Sequence, residues 1–164
     1  MLETKRLYFS HWKDCDQTLA YQLWSNPQVT QYIGIKEEDI IPRYQKEIQN
    51  DETYHVSYWP IFLKETNELI GCCGLRPYQD NIYELGFHFL PQYWHQGYAF
   101  EAAQAVIHHA FSTLKVNQLI AGHHPMNHAS AHLLMKLGFI YRGDEYYQPT
   151  GLYHPSYQLT HDNS

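Results

Sequence analysis

The sequence predicts a mixed α+β fold in which a twisted, mostly antiparallel central sheet carries one parallel strand pair and about four flanking helices. Three features carry that expectation. Residues 56–63, 68–75 and 82–90 are runs of aromatic and aliphatic side chains separated by the turn-rich 64–67 and by Pro77 and Asp80-Asn81, so they read as an antiparallel meander. From Tyr98 the apolar period becomes helical: Ala103, Val106, Ile107, Ala110, Phe111 and Leu114 recur at three- and four-residue spacing. Residues 118–122 then form a short strand, and a crossover helix joining two strands of one sheet makes them run parallel.

The other elements follow in chain order. Leu7, Phe9 and Trp12 belong to an opening strand and the loop after it, with Arg6 and Tyr8 on the opposite face. Asp14 or Asp16 offers an N-cap for a helix carrying Leu19, Ala20, Leu23 and Trp24, and Ser25-Asn26-Pro27 ends it. Val29, Tyr32 and Ile33 form one short turn stopped by Gly34. Glu37, Glu38 and Asp39 suit the positive end of a second helix, whose apolar stripe reads as Ile41, Tyr44 and Ile48. Asn127 caps a final helix with Ala131, Leu134 and Leu137 on its apolar face and Gly138 in the left-handed position at its end. Residues 139–147 and 153–160 are closing strands, and residues 161–164 are expected to fray.

Composition narrows the class of protein. The 164 residues fit a single domain, 1–164, and a 44% apolar share fills its core. No stretch approaches the roughly 20 apolar residues of a membrane span, and Met1 leads into Glu3, Lys5 and Arg6 rather than a secretory signal, so a cytoplasmic protein without a membrane partner is expected. Cys15, Cys72 and Cys73 imply reduced core thiols rather than a disulfide framework. The formal charge of −6 argues against a nucleic-acid partner and suits a cationic acceptor such as an amine.

Between the third strand and the long helix lies Trp94-His95-Gln96-Gly97-Tyr98-Ala99, with a glycine and an alanine two apart at the helix mouth. A helix start presents N–H groups without intrahelical partners and a positive dipole end, and so binds anions, phosphates above all. Gly97 lets the backbone approach such a ligand with no Cβ between, and Ala99 keeps the next position small. The stretch Glu84-Leu-Gly-Phe-His-Phe-Leu-Pro-Gln-Tyr-Trp-His-Gln-Gly-Tyr-Ala-Phe-Glu-Ala102 resembles the acetyl-coenzyme A signature of the GNAT N-acetyltransferase superfamily, nearest the RimJ/RimL-like branch of ribosomal-protein N-terminal acetyltransferases. Trp94 stands where that superfamily commonly has Gln or Arg. Leu2-Glu-Thr-Lys-Arg-Leu7, Leu63-Lys-Glu-Thr-Asn-Glu-Leu-Ile-Gly71, and Asn127-His-Ala-Ser130 running into Lys136-Leu-Gly-Phe139 agree with the family in the same order.

The resemblance implies a GNAT-like fold whose parallel strands splay into a V. Backbone groups of Phe87, His88, Phe89 and Leu90 would stay unpaired there and take the amides of the pantetheine arm. The pyrophosphate would meet the loop from Trp94 and His95 through Gln96, Gly97 and Tyr98 to Ala99, and Asn127 would touch the coenzyme arm. The two helices before the meander would overhang the acceptor site.

Acetyl transfer to an amine requires a neutral amine, a polarised thioester carbonyl and a proton for the departing thiolate. A carboxylate raised in pKa by desolvation suits the base. Glu84 is the first candidate, on one strand face with Gly86 and His88; pairing with an arginine, or hydration, is its competing role. His88 is the reserve base, since imidazole titrates near neutrality. Ser130 stands where the branch keeps a serine near the coenzyme sulfur, as proton donor to the thiolate or as a closer of the first helical turn. His124, His128 and His132 are four apart, but Pro125 and the cap at Asn127 put His124 outside the helix, and the chemistry calls for no metal.

The sequence is thus expected to encode an N-acetyltransferase moving the acetyl group of acetyl-CoA to a primary amine, a protein N-terminus or a small molecule, by direct attack in a ternary complex. A non-catalytic coenzyme A sensor of the same fold is the alternative. A nucleic-acid-binding module is a third reading that the acidic balance disfavours. Monomer and homodimer are both compatible with these residues.

Overall fold

The computed structural model describes residues 1–161; beyond His161, the end expected to fray lies outside the described residues. The strands are β1 (Leu7–Phe9), β2 (Tyr58–Leu63), β3 (Leu69–Gln79), β4 (Ile82–Phe89), β5 (Gln118–Gly122), β6 (Ile140–Tyr147) and β7 (Leu152–Thr160). The helices are α1 (Gln17–Trp24), α2 (Pro27–Thr30), α3 (Ile40–Tyr54), α4 (Tyr98–Ser112) and α5 (His128–Lys136). One seven-stranded sheet has the order β1-β2-β3-β4-β5-β7-β6. Every neighbouring pair is antiparallel except β4 and β5, which α4 joins as a crossover.

The sheet separates two apolar layers because side chains alternate across it. On one face Leu85 and Phe89 of β4 pack with Ala102, Ala103, Val106 and Ala110 of α4 and Leu134 of α5. On the other, Tyr58 and Cys72 pack with Leu23 and Trp24 of α1 and Ile40 and Tyr44 of α3. Glu84, Gly86 and His88 share this second face by alternation along β4.

Local chemistry explains most boundaries. Pro27 occupies the first position of α2, where its missing N–H costs nothing, and Asn26 caps that turn by accepting from the Gln28 N–H at 2.9 Å. Asn127 caps α5 by accepting from the Ser130 N–H at 3.2 Å, and Gly138 follows its end with φ of 95°.

Several expectations need correction. Asp16 sits at the N-cap of α1 without capping it, because its carboxylate accepts from the Lys13 N–H at 2.9 Å. β3 runs through Pro77 to Gln79 rather than stopping at 75. The β2 ladder ends at Tyr58↔Gly74, so the missing N–H of Pro77 faces a side without a neighbour, and the register shifts between Pro77 and Gln79. The buried residues of α3 are Ile40, Tyr44, Glu47 and Asn50, whereas Ile41 and Ile48 of the expected Ile41, Tyr44 and Ile48 stripe are only partly buried at its flank. Hydropathy counts a glutamate as solvent-facing, whereas here it anchors a buried ion pair.

Of the cysteines, Cys72 and Cys73 are core thiols and Cys15 is exposed. Burial pushes the Cys72 thiol up to about 12 and holds Cys73 well above the ordinary range. Both therefore stay protonated and unreactive at neutral pH. Titration of the native protein with a disulfide reagent is expected to modify Cys15 alone, with Cys72 and Cys73 reacting only after denaturation. Rapid labelling of either in the native state would contradict this packing.

Candidate active site

The parallel pair forks. β4 and β5 are in register only at Ile82↔Gln118, Tyr83↔Leu119 and Glu84↔Ile120, although both strands continue beyond. β5 remains paired to β7 through Gly122 and β4 to β3 through Phe89, so the opening lies between β4 and β5, with Glu84 at its vertex. A cleft of about 870 Å³ passes through it, lined on one side by Gly97, Ala99, Asn127 and Ser130 and on the other by Arg43, Tyr58, Glu84 and His88.

The four backbone groups expected to be free divide by parity. Leu90 is fully engaged: its N–H donates to Ile70 O at 2.9 Å and its carbonyl accepts from the Tyr93 N–H at 3.0 Å. His88 shares that parity, so its backbone turns to β3 while its side chain lies on the α1/α3 face. Phe87 and Phe89 turn toward the opening. The Phe89 carbonyl there accepts from the Trp94 indole Nε1–H at 2.7 Å, so Trp94 braces the strand end against the loop.

The loop into α4 is built to present amides. His95 and Gly97 both take left-handed backbone, with φ of 62° and 80°. Arg6 donates from Nε to Glu101 at 2.7 Å and from Nη1 to the Gln96 carbonyl at 3.0 Å, and its guanidinium lies 4.2 Å from the Tyr98 ring centroid. Glu101 would be raised by burial, but hydrogen bonds from Thr4 and Arg6 outweigh this and lower it. With the Gln96 carbonyl held by Arg6, the N–H groups of His95, Gln96, Gly97, Tyr98 and Ala99 have no partner among the described residues. Consecutive unpaired donors at the positive end of a helix fit a diphosphate.

The opposite wall is a polar cluster standing on glycines. The cross-strand pairs Arg76↔Glu84, Gly74↔Gly86 and Cys72↔His88 form a ladder on the α1/α3 face. The Tyr58 ring lies against Gly86, where any Cβ would overlap it. Its hydroxyl donates to Glu84 Oε1 at 3.1 Å, the one hydrogen bond to that carboxylate among the described residues. Burial, then the Glu84 charge, raises the Tyr58 phenol, which keeps it a donor. Arg76 sits across from Glu84 yet gives its Nη2 to Glu47 at 2.7 Å, and Glu47 also accepts from Ser57 Oγ and the Tyr58 N–H. The Trp24 indole N–H donates to His88 Nδ1 at 3.1 Å, which leaves the ring proton on Nε2. Burial, Arg43 and Arg76 hold this imidazole well below its usual pKa.

The family profile described as Acetyltransferase (GNAT) domain matches residues 6–140. The chain belongs to the GNAT acetyltransferase family. Among its relatives, Uncharacterized N-acetyltransferase p20 of Bacillus licheniformis is 32% identical over 144 residues, spanning 84% of this chain and 81% of that protein. A GNAT-family acetyltransferase of Bacillus anthracis superposes with a TM-score of 0.81 at 26% identity, over 97% of both chains. The ribosomal L7/L12 alpha-N-protein acetyltransferase RimL, solved with coenzyme A, shares the fold with a TM-score of 0.81 at 15% identity over 96% of this chain and 95% of its own.

In this GNAT acetyltransferase the α5 residues lie where the cleft receives the helix end. Asn127 Oδ1 is spent on the cap, whereas the Ser130 hydroxyl makes no hydrogen bond among the described residues and lines the cleft. The competing role of Ser130 as a closer of the helical turn is therefore filled by Asn127. His124, His128 and His132 do not converge: among the described residues no group of three or more metal-type ligands gathers. Sequence reasoning missed Arg6, Arg43, Glu47, Tyr58 and Arg76. Only Glu47, three residues after Tyr44 and seven after Ile40 on the buried face of α3, hinted at the cluster around Tyr58.

Proposed function

We propose that this GNAT protein transfers the acetyl group of acetyl-CoA to a primary amine by direct attack in a ternary complex. The fork that ends at Glu84, open toward a helix start with unpaired amides, is the observation that carries the reading. Phe87 and Phe89 offer backbone groups to the pantetheine amides, and the amides of His95, Gln96, Gly97, Tyr98 and Ala99 offer a seat for the pyrophosphate.

Glu84 is the general base in this scheme. It takes a proton from the ammonium directly or through one water, the freed nitrogen attacks the thioester carbonyl, and the carbon–sulfur bond breaks. Ser130 supplies a proton to the departing thiolate and regains one from solvent. His88 serves poorly as the base, because Nδ1 already accepts the Trp24 indole proton and Nε2 carries the hydrogen. Its role is to hold Trp24 and the floor of the acceptor pocket.

A thermal-shift experiment tests the donor half. Acetyl-CoA at one hundred times its dissociation constant is expected to add about 2.7 kcal/mol to stability. Gly97→Glu removes that gain by placing bulk and negative charge at the amide cluster. Gly97→Ala, strained by about 1 kcal/mol at its positive φ, keeps it. Mass spectrometry of acceptor mixtures tests the other half, with an acetyl increment on an amine as the expected result. A stabilised protein that acetylates no amine would favour a coenzyme sensor, and an unshifted wild-type protein would remove the donor assignment.

A further inference from the structure

The acceptor half of the cleft contains a cation that the fold does not use. Arg43 stands one turn after Ile40 and one turn before Glu47 on α3; the residue is half-buried, and its Nε is buried without a hydrogen-bond partner. Among the described residues its guanidinium has neither hydrogen bond nor ion pair, in contrast to Arg76 beside it, which holds Glu47 at 2.7 Å. Its contacts are aromatic faces, with the Trp24 and Tyr58 ring centroids 5.3 and 5.9 Å from Cζ. Arg43 lines the same cleft as Glu84. Burial and the neighbouring Arg76 charge lower its pKa, so the charged form is under-compensated where it stands.

Resting on the amine-acetylation reading, we propose that the acceptor carries a carboxylate a few bonds from its reacting amine, and that Arg43 is the residue that pairs with it. Burying part of a guanidinium without a hydrogen-bond acceptor costs free energy that the Glu47 charge and the aromatic faces offset only in part, and a planar carboxylate matches its donors in two-point geometry. The separation of the two recognition groups sets the size of the ligand. Tyr58 lies between them, its hydroxyl on Glu84 and its ring facing Arg43. A ligand reaching both therefore places amine and carboxylate one tyrosine side chain apart or less, as a free amino acid does. An acidic side chain at the start of a peptide supplies the same chemistry.

The test compares free amino acids with their carboxamides, and Asp- or Glu-initiated dipeptide amides with Ala-initiated ones, by kcat/KM in a thiol-release assay checked by product mass. A carboxylate-bearing acceptor is expected to exceed its neutral analogue by about tenfold to a hundredfold, the usual worth of a charge-assisted hydrogen bond. Arg43→Gln collapses that ratio toward one, mainly through KM, while Arg43→Lys restores part of it. Both variants should keep the thermal shift with acetyl-CoA, which shows that they fold. The peptide arm locates the carboxylate, since a preference for acidic dipeptides alone assigns it to a side chain. Neutral amides turning over as well as acids, or an acid preference that survives Arg43→Gln, would overturn the inference. Failure of every amine in the panel would instead overturn the acetylation reading beneath it.

Discussion

Glu84→Gln is expected to lower kcat by about 10²–10⁴-fold, the range that a positioned general base contributes, with acetyl-CoA binding unchanged. The glutamine keeps the shape of the side chain and a carbonyl that still accepts from Tyr58, so the Tyr58 ring stays seated on Gly86. What it loses is the capacity to take a proton. Because the amine arrives as an ammonium, the loss appears in kcat and kcat/KM together, and raising the pH recovers part of the rate by deprotonating the amine in solution. A variant with wild-type turnover would show that the proton leaves by another route. His88 is a poor alternative for a physical reason: its buried imidazole is held neutral, so it contributes no rising limb near pH 6.5.

Glu47→Ala is expected to cost about 3–5 kcal/mol, the penalty for removing one partner of a buried ion pair, visible as a fall in melting midpoint on the order of 10 °C. Three donors lose their acceptor at once: Arg76 Nη2, Ser57 Oγ and the Tyr58 N–H. Arg43 and Arg76 then face each other with the carboxylate between them gone, and the charge repulsion that already lowers Arg43 is no longer opposed. Trimming the exposed partner in the Lys64–Glu3 pair, by Glu3→Ala, should leave the midpoint nearly unmoved, because solvent screens that pair. Equal effects from the two substitutions would mean that the cluster under Tyr58 is better hydrated than its packing implies. Since Glu47 also fixes the backbone of Tyr58, the destabilised variant should lose turnover beyond its loss of folded protein.

The elements were legible in the sequence where their causes are local. β5 and α4 fall where apolar periodicity placed them, and Gly138 takes the left-handed φ read for it at the end of the last helix. The fork was legible only through resemblance, since nothing in the residues of β4 marks the register position at which β5 departs. Of the candidate site residues, Glu84 and Ser130 both reach one cleft. Leu90, however, spends both backbone groups within the fold, and Trp94 donates its indole to the Phe89 carbonyl. Parity along a strand decides such assignments, and parity depends on which neighbour a strand pairs with first.

The sequence by itself determined the order and kind of the elements, the anion-suited start of α4 and the family, because these rest on periodicity, on capping and turn residues, and on motifs that are contiguous in the chain. Only the tertiary structure decided that Glu47, Arg76, Tyr58 and Arg43 gather over the Gly74–Gly86 floor beside Glu84. A buried charge is tolerable only when its partners arrive from other elements. Residue type alone assigns every one of these side chains to solvent or to generic core, and their shared environment exists only once α3 lies across the sheet.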